Sequence, residues 1–463
     1  MVNLTRLYLG LPQPADALRY GHGCRGGDFA ATAVERRPVV VWNVTQRCNL
    51  RCVHCYADSE PRAYEGELTT AEAFVLLEDL AEFRVPAVLL SGGEPLVRPD
   101  FFEIAEYGVG RGLRLTLSSN GTLIDRETAR RLRDIGFSYV GISLDGIGQV
   151  HDEFRGRAGA FDAAVVAFRN CREVGQKAGL RLTLTRHTIE SLPQILDFIE
   201  HEGIERVCFY HLVFSGRGAA LQRVESAKLR AAIDTILDKI SEWHARGIHR
   251  EVLTVDQPAD AVYLYKRLLR EASRSQESGV RSQNEVTRAG ARQMGEPEGS
   301  PLATRSVAGG AESPTKPNER SERSITPERS EASLLLTPDS CLLSPAAQAL
   351  SLMRWNGGGA NSSGVGIGNI DAQGNIHPDQ FWQTHTLGNV RETAFSEVWK
   401  NSQDPLLLGL RNRLPLLKGR CGVCSNKELC GGGFRVRAVQ VHGDPWAEDP
   451  GCYLEGVRSQ NVD

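Results

Sequence analysis

The sequence predicts an α/β fold in which helices pack outside a parallel sheet. Three observations carry this. Between residues 38 and 246, six apolar β-type runs alternate with six helix-type runs, the pattern of repeated βα units. Small, polar and sulfur-bearing clusters follow the strand runs, as expected where chemistry sits at C-terminal strand ends. Composition then changes near residue 270 and recovers near 346, ahead of a cysteine-rich stretch. The six units fit a partial (β/α)6 barrel followed by a small cysteine-rich domain.

Taken in order, residues 1–35 read as an irregular lead-in with Gly and Pro punctuation. Residues 36–268 hold the barrel. Strand-type runs fall at 38–44, 86–91, 113–119, 138–144, 180–186 and 205–212. Helix-type runs fall at 69–83, 99–111, 125–135, 161–176, 191–202 and 223–246, and Thr69-Thr70-Ala71-Glu72 is a capping signal for the first. The first strand leads into Cys48–Tyr56, the second into Ser91-Gly92-Gly93-Glu94-Pro95, the third into Ser118–Gly121 and the fourth into Ser143–Gly146. Residues 269–345 are rich in Ser, Glu, Arg, Gly and Pro and nearly lack aromatics. Such a segment buries too little surface to offset its ordering entropy, so it reads as a disordered insertion, with a regulatory or partner-binding role as the alternative. Residues 346–463 regain order signals, including the hairpin-like Ile370–Ile376.

A chain of 463 residues at 41% hydrophobic can bury a sizeable core in one to three domains. A net charge of −3 gives no global pull toward nucleic acid or an anionic membrane. The first thirty residues lack an apolar signal core, and no run of about 18 apolar residues predicts a membrane helix. Seven of the eleven cysteines sit in metal-type spacings, which points to reduced thiols in the cytoplasm.

Cys48, Cys52 and Cys55 form C-x3-C-x2-C. Three thiolates can hold three irons of a [4Fe–4S] cube and leave the fourth open, where clusters normally take four cysteines. A zinc knuckle is the alternative, but zinc favours paired C-x2-C units with a fourth ligand nearby. Gly92 and Gly93 let a ligand approach the backbone, and Glu94 offers an acceptor for a cation; a surface turn is the bland reading. Cys421, Cys424, Cys430 and Cys452 can close a second ligand set, for a [4Fe–4S] cluster or for structural zinc. Cys171 and Cys208 read as buried, inert thiols, and Cys24 and Cys341 carry no assigned role.

The cysteine loop, with Tyr56 after its third cysteine, and the Gly-Gly-Glu strand end resemble the radical S-adenosylmethionine (SAM) superfamily. Five further regions narrow this: Leu89–Asp100, His151–Gly156, Ser215–Gly218, His377–Trp382 and Cys430–Ala438. They are similar to the tetrapyrrole-modifying enzymes of heme d1 biosynthesis (the NirJ type) and of the siroheme-dependent heme pathway. The C-x2-C-x5-C run resembles part of a SPASM/twitch domain, but His377-Pro378-Asp379 stands where such domains often carry an earlier cysteine, leaving one auxiliary cluster.

The resemblance implies a SAM-binding cluster on Cys48, Cys52 and Cys55, and SAM held by Glu94 through its ammonium. Tyr56, Gly92 and Gly93 border the cofactor, Ser143 contacts the ribose, and Asn120 or Arg186 its polar groups. A second cluster on Cys421, Cys424, Cys430 and Cys452 relays an electron or binds substrate. The implied reaction removes carboxylate side chains, propionates first, from a siroheme-derived iron tetrapyrrole, with a reductant such as flavodoxin or ferredoxin. Arg435, Arg437, Lys418 and Arg420 are candidates for its carboxylates, against a solvated basic surface. His377 is a candidate iron ligand, against a turn residue. Acetate removal in the heme pathway, a SPASM-type peptide maturase and a non-enzymatic iron–sulfur scaffold are the competing expectations.

Overall fold

Strands β2 (Val39–Thr45), β3 (Val88–Gly92), β4 (Leu115–Ser119), β5 (Tyr139–Ser143), β6 (Ala178–Leu184), β7 (Arg206–His211) and β8 (Glu251–Val255) lie side by side in sequence order, each parallel to the next. The structure is a computed structural model that describes residues 1–11, 37–274, 345–355 and 363–454. Helices follow the strands on one face, making the wall of a partial barrel. The six expected strands and six expected helices are all present, with ends shifted by a few residues. Helix Thr70–Glu82 starts on the capping box, Thr69 N donating to Glu72 Oε2 (2.8 Å) and Glu72 N to Thr69 Oγ1 (3.3 Å). It buries Ala73, Leu76, Leu77 and Leu80 at helical spacing, about 1.5–3 kcal/mol for each leucine.

The sequence reading missed β8 and the start of the chain. All five residues of β8 are buried, so it shows no in/out alternation. Residues 2–9 are not irregular: β1 (Val2–Asn3) pairs antiparallel with β8, and helix Leu4–Leu9 follows, its first turn capped by Asn3 Oδ1 accepting from Arg6 N at 3.0 Å.

The C-terminal segment was expected as a separate domain. Instead β9 (Ile367–Ile370) adds parallel to β2, and β10 (Asn375–His377) and β11 (Gly388–Asn389) extend the same sheet antiparallel. The turn between β9 and β10 is the expected hairpin, its Asp371 Oδ1 accepting from Gln373 N (2.9 Å) and Asn375 N (2.8 Å). The chain divides into two compact units, Met1–Leu268 with Leu343–Asp463, and Leu269–Leu342. In the second, residues 269–274 are helical. The rest of the segment expected to be disordered lies outside the described residues, as do Cys24, Cys341 and residues 12–36. Among the described residues no helix is long and apolar enough to cross a membrane.

Period-two alternation gives the wall two faces. Leu115, Leu117, Val140, Ile142, Leu180, Leu182, Val207 and Phe209 join the main core with the helices. Their neighbours Thr116, Ser118, Tyr139, Ser143, Arg181, Thr183 and Tyr210 are only half-buried. They line the opposite face, a polar barrel interior that opens toward the strand ends.

Candidate active site at the C-terminal strand ends

The cysteine loop leaves β2 and is clamped from several directions. Cys48 N donates to Glu60 O (3.1 Å), Val53 N to Phe154 O (3.0 Å), and Arg217 N to Cys55 O (2.9 Å). Arg217 Nε also donates to Cys52 O at 2.8 Å. Gly216 is left-handed, and a Cβ there would sit 2.4 Å from Cys55 O. The run Ser215–Gly218 is therefore a brace for the cysteine loop. Cys48 and Cys52 are buried and Cys55 half-buried, packed together and all free. Burial pushes the Cys48 thiol up to about 12. A thiolate at Cys48 is costly without a bound cation, so loading the site releases a proton there.

Gly92 and Gly93 make room for neighbouring backbone. A Cβ on Gly92 would lie 2.2 Å from Thr45 O, and one on Gly93 2.1 Å from Arg47 O. The close neighbour of both is the start of the cysteine loop. Gly93 N donates to Thr45 O (2.8 Å) and Glu94 N to Arg47 O (2.9 Å), fastening the two motifs together.

Glu94 is fully enclosed, at 0% exposure. Its carboxylate accepts from Ser119 Oγ (2.9 Å), Leu96 N (3.2 Å) and Asn120 N (2.7 Å), tying the end of β3 to the end of β4. Burial still pushes its carboxyl up to about 7. Three internal donors leave one lone pair for a cation. Asn120 Nδ2 donates to Asn49 Oδ1 (2.8 Å) and lies 3.9 Å from Cys48 Sγ, so it belongs to the cysteine site. Tyr56 donates to Asn43 Oδ1 (3.2 Å) and meets Phe381 edge-on, with ring centroids 5.2 Å apart. Ser143 ends β5 in register with Arg181. Arg186 stands apart: it is exposed and donates to Arg223 O (2.9 Å) and Gln222 Oε1.

Asp145 and Arg155 had no assigned role. Arg155 is buried, its Nη1 3.6 Å from Cys52 Sγ and its Nη2 bonded to Asp145 Oδ2. Asp145 Oδ1 accepts from Thr183 N (2.7 Å), and its own N–H donates to His151 Nδ1 (3.0 Å). Despite burial, chiefly Arg155 holds the Asp145 carboxyl below its usual range. The runs Ser143–Gly146 and His151–Gly156 contain both residues, but nothing local shows that they meet.

Cys421, Cys424, Cys430 and Cys452 line one cavity with Arg420 and Lys427. Burial pushes Cys430 up to about 12 and Cys452 to about 11. Among the described residues no three His, Cys, Asp or Glu side chains group tightly enough for one metal ion.

Of the basic residues nearby, Arg435 and Arg437 are buried braces, while Lys418 and Arg420 reach solvent beside acidic partners. Arg437 is 1% exposed and grips Asp449 bidentately (Nε–Oδ1 2.9 Å, Nη2–Oδ2 2.8 Å). Arg435 is fully buried, its guanidinium donating to Ala447 O (2.6 Å) and Gly432 O. Lys418 is exposed and pairs with Asp444 at 2.8 Å; Arg420 lies 3.7 Å from Glu448. His377 is buried with both ring nitrogens engaged, Nδ1 with His385 O (2.8 Å) and Nε2 with Asp371 Oδ2 (3.3 Å). That is the turn role, not a free iron ligand.

The radical SAM superfamily profile matches residues 42–199, spanning the cysteine loop and the Gly-Gly-Glu strand end. The chain is 40% identical over 98% of its length to Fe-coproporphyrin III synthase of Methanosarcina barkeri, and covers 98% of that protein. The chain belongs to the radical SAM superfamily. It is also 38% identical over 91% of its length to pre-heme d1 synthase of Dinoroseobacter shibae, covering 88% of it. Among solved structures, this radical SAM enzyme resembles Streptococcus suis SuiB bound to S-adenosylmethionine (TM-score 0.59, 16% identity, 90% of this chain and 77% of that one). It also resembles native anSMEcpe with bound AdoMet (TM-score 0.58, 15% identity, 90% and 93%). These likenesses establish the fold. Superfamily membership implies a [4Fe–4S] cluster and SAM. The cysteine loop fits them: three packed free thiols, and an enclosed carboxylate with a lone pair to spare.

Proposed function

We propose that this enzyme removes carboxylate-bearing side chains from a siroheme-derived iron tetrapyrrole. The observation that carries the reading is the end-to-end similarity to two tetrapyrrole enzymes, Fe-coproporphyrin III synthase and pre-heme d1 synthase. The peptide maturase reading has less support: mycofactocin maturase MftC of Mycobacterium ulcerans is 37% identical over only 39% of this chain. Propionate removal, in heme d1 synthesis, is the reading the motifs suggest first. Acetate removal is favoured by one observation, the more complete match to Fe-coproporphyrin III synthase, at 98% of both chains.

Cys48, Cys52 and Cys55 would hold three irons of the first cluster. Glu94, Asn120 and Ser143 would orient SAM, with Gly92 and Gly93 fixing the loop and Tyr56 walling the site. Arg186, exposed and bound to its own surface loop, is the weakest of these assignments. When bound, cluster and SAM supply an electron and a carbon radical that takes hydrogen from a substrate side chain. The chain's own share is to position the reactants and exclude water, which the enclosed barrel interior supports. Cys421, Cys424, Cys430 and Cys452 would hold a second [4Fe–4S] cluster, and a flavodoxin or ferredoxin would supply electrons in the cytoplasm. The test is SAM cleavage by the anaerobically reconstituted protein with and without decarboxylated siroheme. The reading expects cleavage to rise when the tetrapyrrole is added; cleavage indifferent to it contradicts the substrate assignment.

A further inference from the structure

Arg181 is a cation in the barrel interior that the assigned chemistry leaves unused. It points inward from β6, where its neighbours Leu180 and Leu182 pack outward into the core. A Cβ on Gly141 of β5 would lie 2.5 Å from Arg181 Cδ, so that glycine makes room for the side chain. The guanidinium donates to Tyr210 Oη and lies 4.8 Å from that ring's centroid. Among the described residues no carboxylate pairs with it. Asp256, the first residue after β8, has the left-handed φ of +64°, a conformation that non-glycine residues hold only where their surroundings impose it. Arg437 Nη1 donates to Asp256 O at 2.7 Å. Asp256 Oδ2 is buried and has no hydrogen-bond partner among the described residues.

An unneutralised guanidinium and an unpartnered buried carboxyl oxygen are both costly unless a ligand completes them. A carboxylate completes both: Arg181 and Tyr210 donate to it, and a protonated Asp256 donates a third hydrogen bond. Arg181 stands in register with Ser143, and Asp256 carries the set away from the SAM side toward the substrate. The cysteine loop and Glu94 follow β2 and β3, whereas Asp256 follows β8, at the other end of the seven-strand wall. We propose that Arg181, Tyr210 and Asp256 form the subsite that receives one side-chain carboxylate of the tetrapyrrole, an inference that rests on the functional reading above.

Burial pushes the Asp256 carboxyl up to about 7. The charged or titratable groups facing it are Arg181 and Tyr210 from β6 and β7, Arg437 and Asp379 from the C-terminal segment, and the chain's amino terminus. Raising the pH through this range therefore removes the third donor and sets a negative charge beside the ligand.

The test measures affinity of the full chain for decarboxylated siroheme, by titrating the Soret band, and for SAM by equilibrium dialysis. R181M should weaken tetrapyrrole binding about tenfold or more, the loss expected for a charged hydrogen bond, and leave SAM affinity unchanged. R181K should recover part of the loss. Wild-type affinity should fall as pH rises through 7, and D256N should flatten that dependence. Unchanged tetrapyrrole affinity in an R181M protein with a native circular dichroism spectrum overturns the subsite. So does loss of SAM affinity with tetrapyrrole affinity intact. A wild-type protein that does not bind the tetrapyrrole sinks the functional reading itself.

Discussion

Arg155 Nη1 lies 3.6 Å from Cys52 Sγ while the same guanidinium is bonded to the Asp145 carboxylate. Cluster potentials depend on net charge, burial and hydrogen bonds to sulfur. A buried cation at a ligand sulfur favours the reduced, more negative cluster. R155M should therefore move the first cluster's midpoint to a more negative value, and R155K should stay closer to wild type. Redox titration followed by electron paramagnetic resonance reads this; equal midpoints in all three proteins would show that Arg155 only holds Asp145.

Glu94 couples stability to pH. Its folded pKa of about 7 lies above the ordinary 4.5. The folded state thus binds the extra proton, and stability is lost as pH rises from about 4.5 through 7. The loss is about 3 kcal/mol for a shift of this size. E94Q cannot titrate, so the difference between variant and wild-type apoprotein stability should change by that amount between pH 4.5 and 7.5. Parallel pH–stability curves from chemical denaturation would contradict the enclosure of this carboxyl.

Gly93 to Ala would place a methyl against Arg47 O, which is backbone and cannot rotate away. Such overpacking costs about 1–3 kcal/mol, occasionally more. The displaced segment is the entry to Cys48, so G93A should lose first-cluster iron along with thermal stability. Iron analysis of the reconstituted protein checks this, and full iron content with an unchanged melting temperature would show that the loop has slack.

Arg437 and Asp449 form a buried bidentate pair. R437A strands Asp449 in the interior and should cost about 3–5 kcal/mol. A substrate-binding arginine at the surface would instead leave the melting temperature unchanged and raise KM. Thermal unfolding and steady-state kinetics on one variant separate the two.

The sequence was informative where its signals are short-range. Strand and helix periodicity, the Thr69–Glu72 capping box and both cysteine sets can be read from neighbouring residues. What escaped depends on distance or enclosure. Strand β8 is buried throughout and begins with Glu251, so no alternation marks it. Arg435 and Arg437 look like surface charges on a helix, because Ala447 O and Asp449 lie in a later loop and Asp256 O lies far earlier in the chain. Arg155 and Asp145 sit ten residues apart on different elements. Gly92 and Gly93 mark a close approach, but the sequence does not say that the approaching group is Thr45 and Arg47 backbone.

The central claim is best tested by mass spectrometry of the tetrapyrrole after anaerobic turnover with SAM, a reductant and decarboxylated siroheme. The account predicts a product that has lost carboxylate-bearing side chains. Propionate-derived loss would place the enzyme with heme d1 synthesis, and acetate-derived loss with heme synthesis. SAM cleaved to 5′-deoxyadenosine beside an unchanged tetrapyrrole would contradict the account.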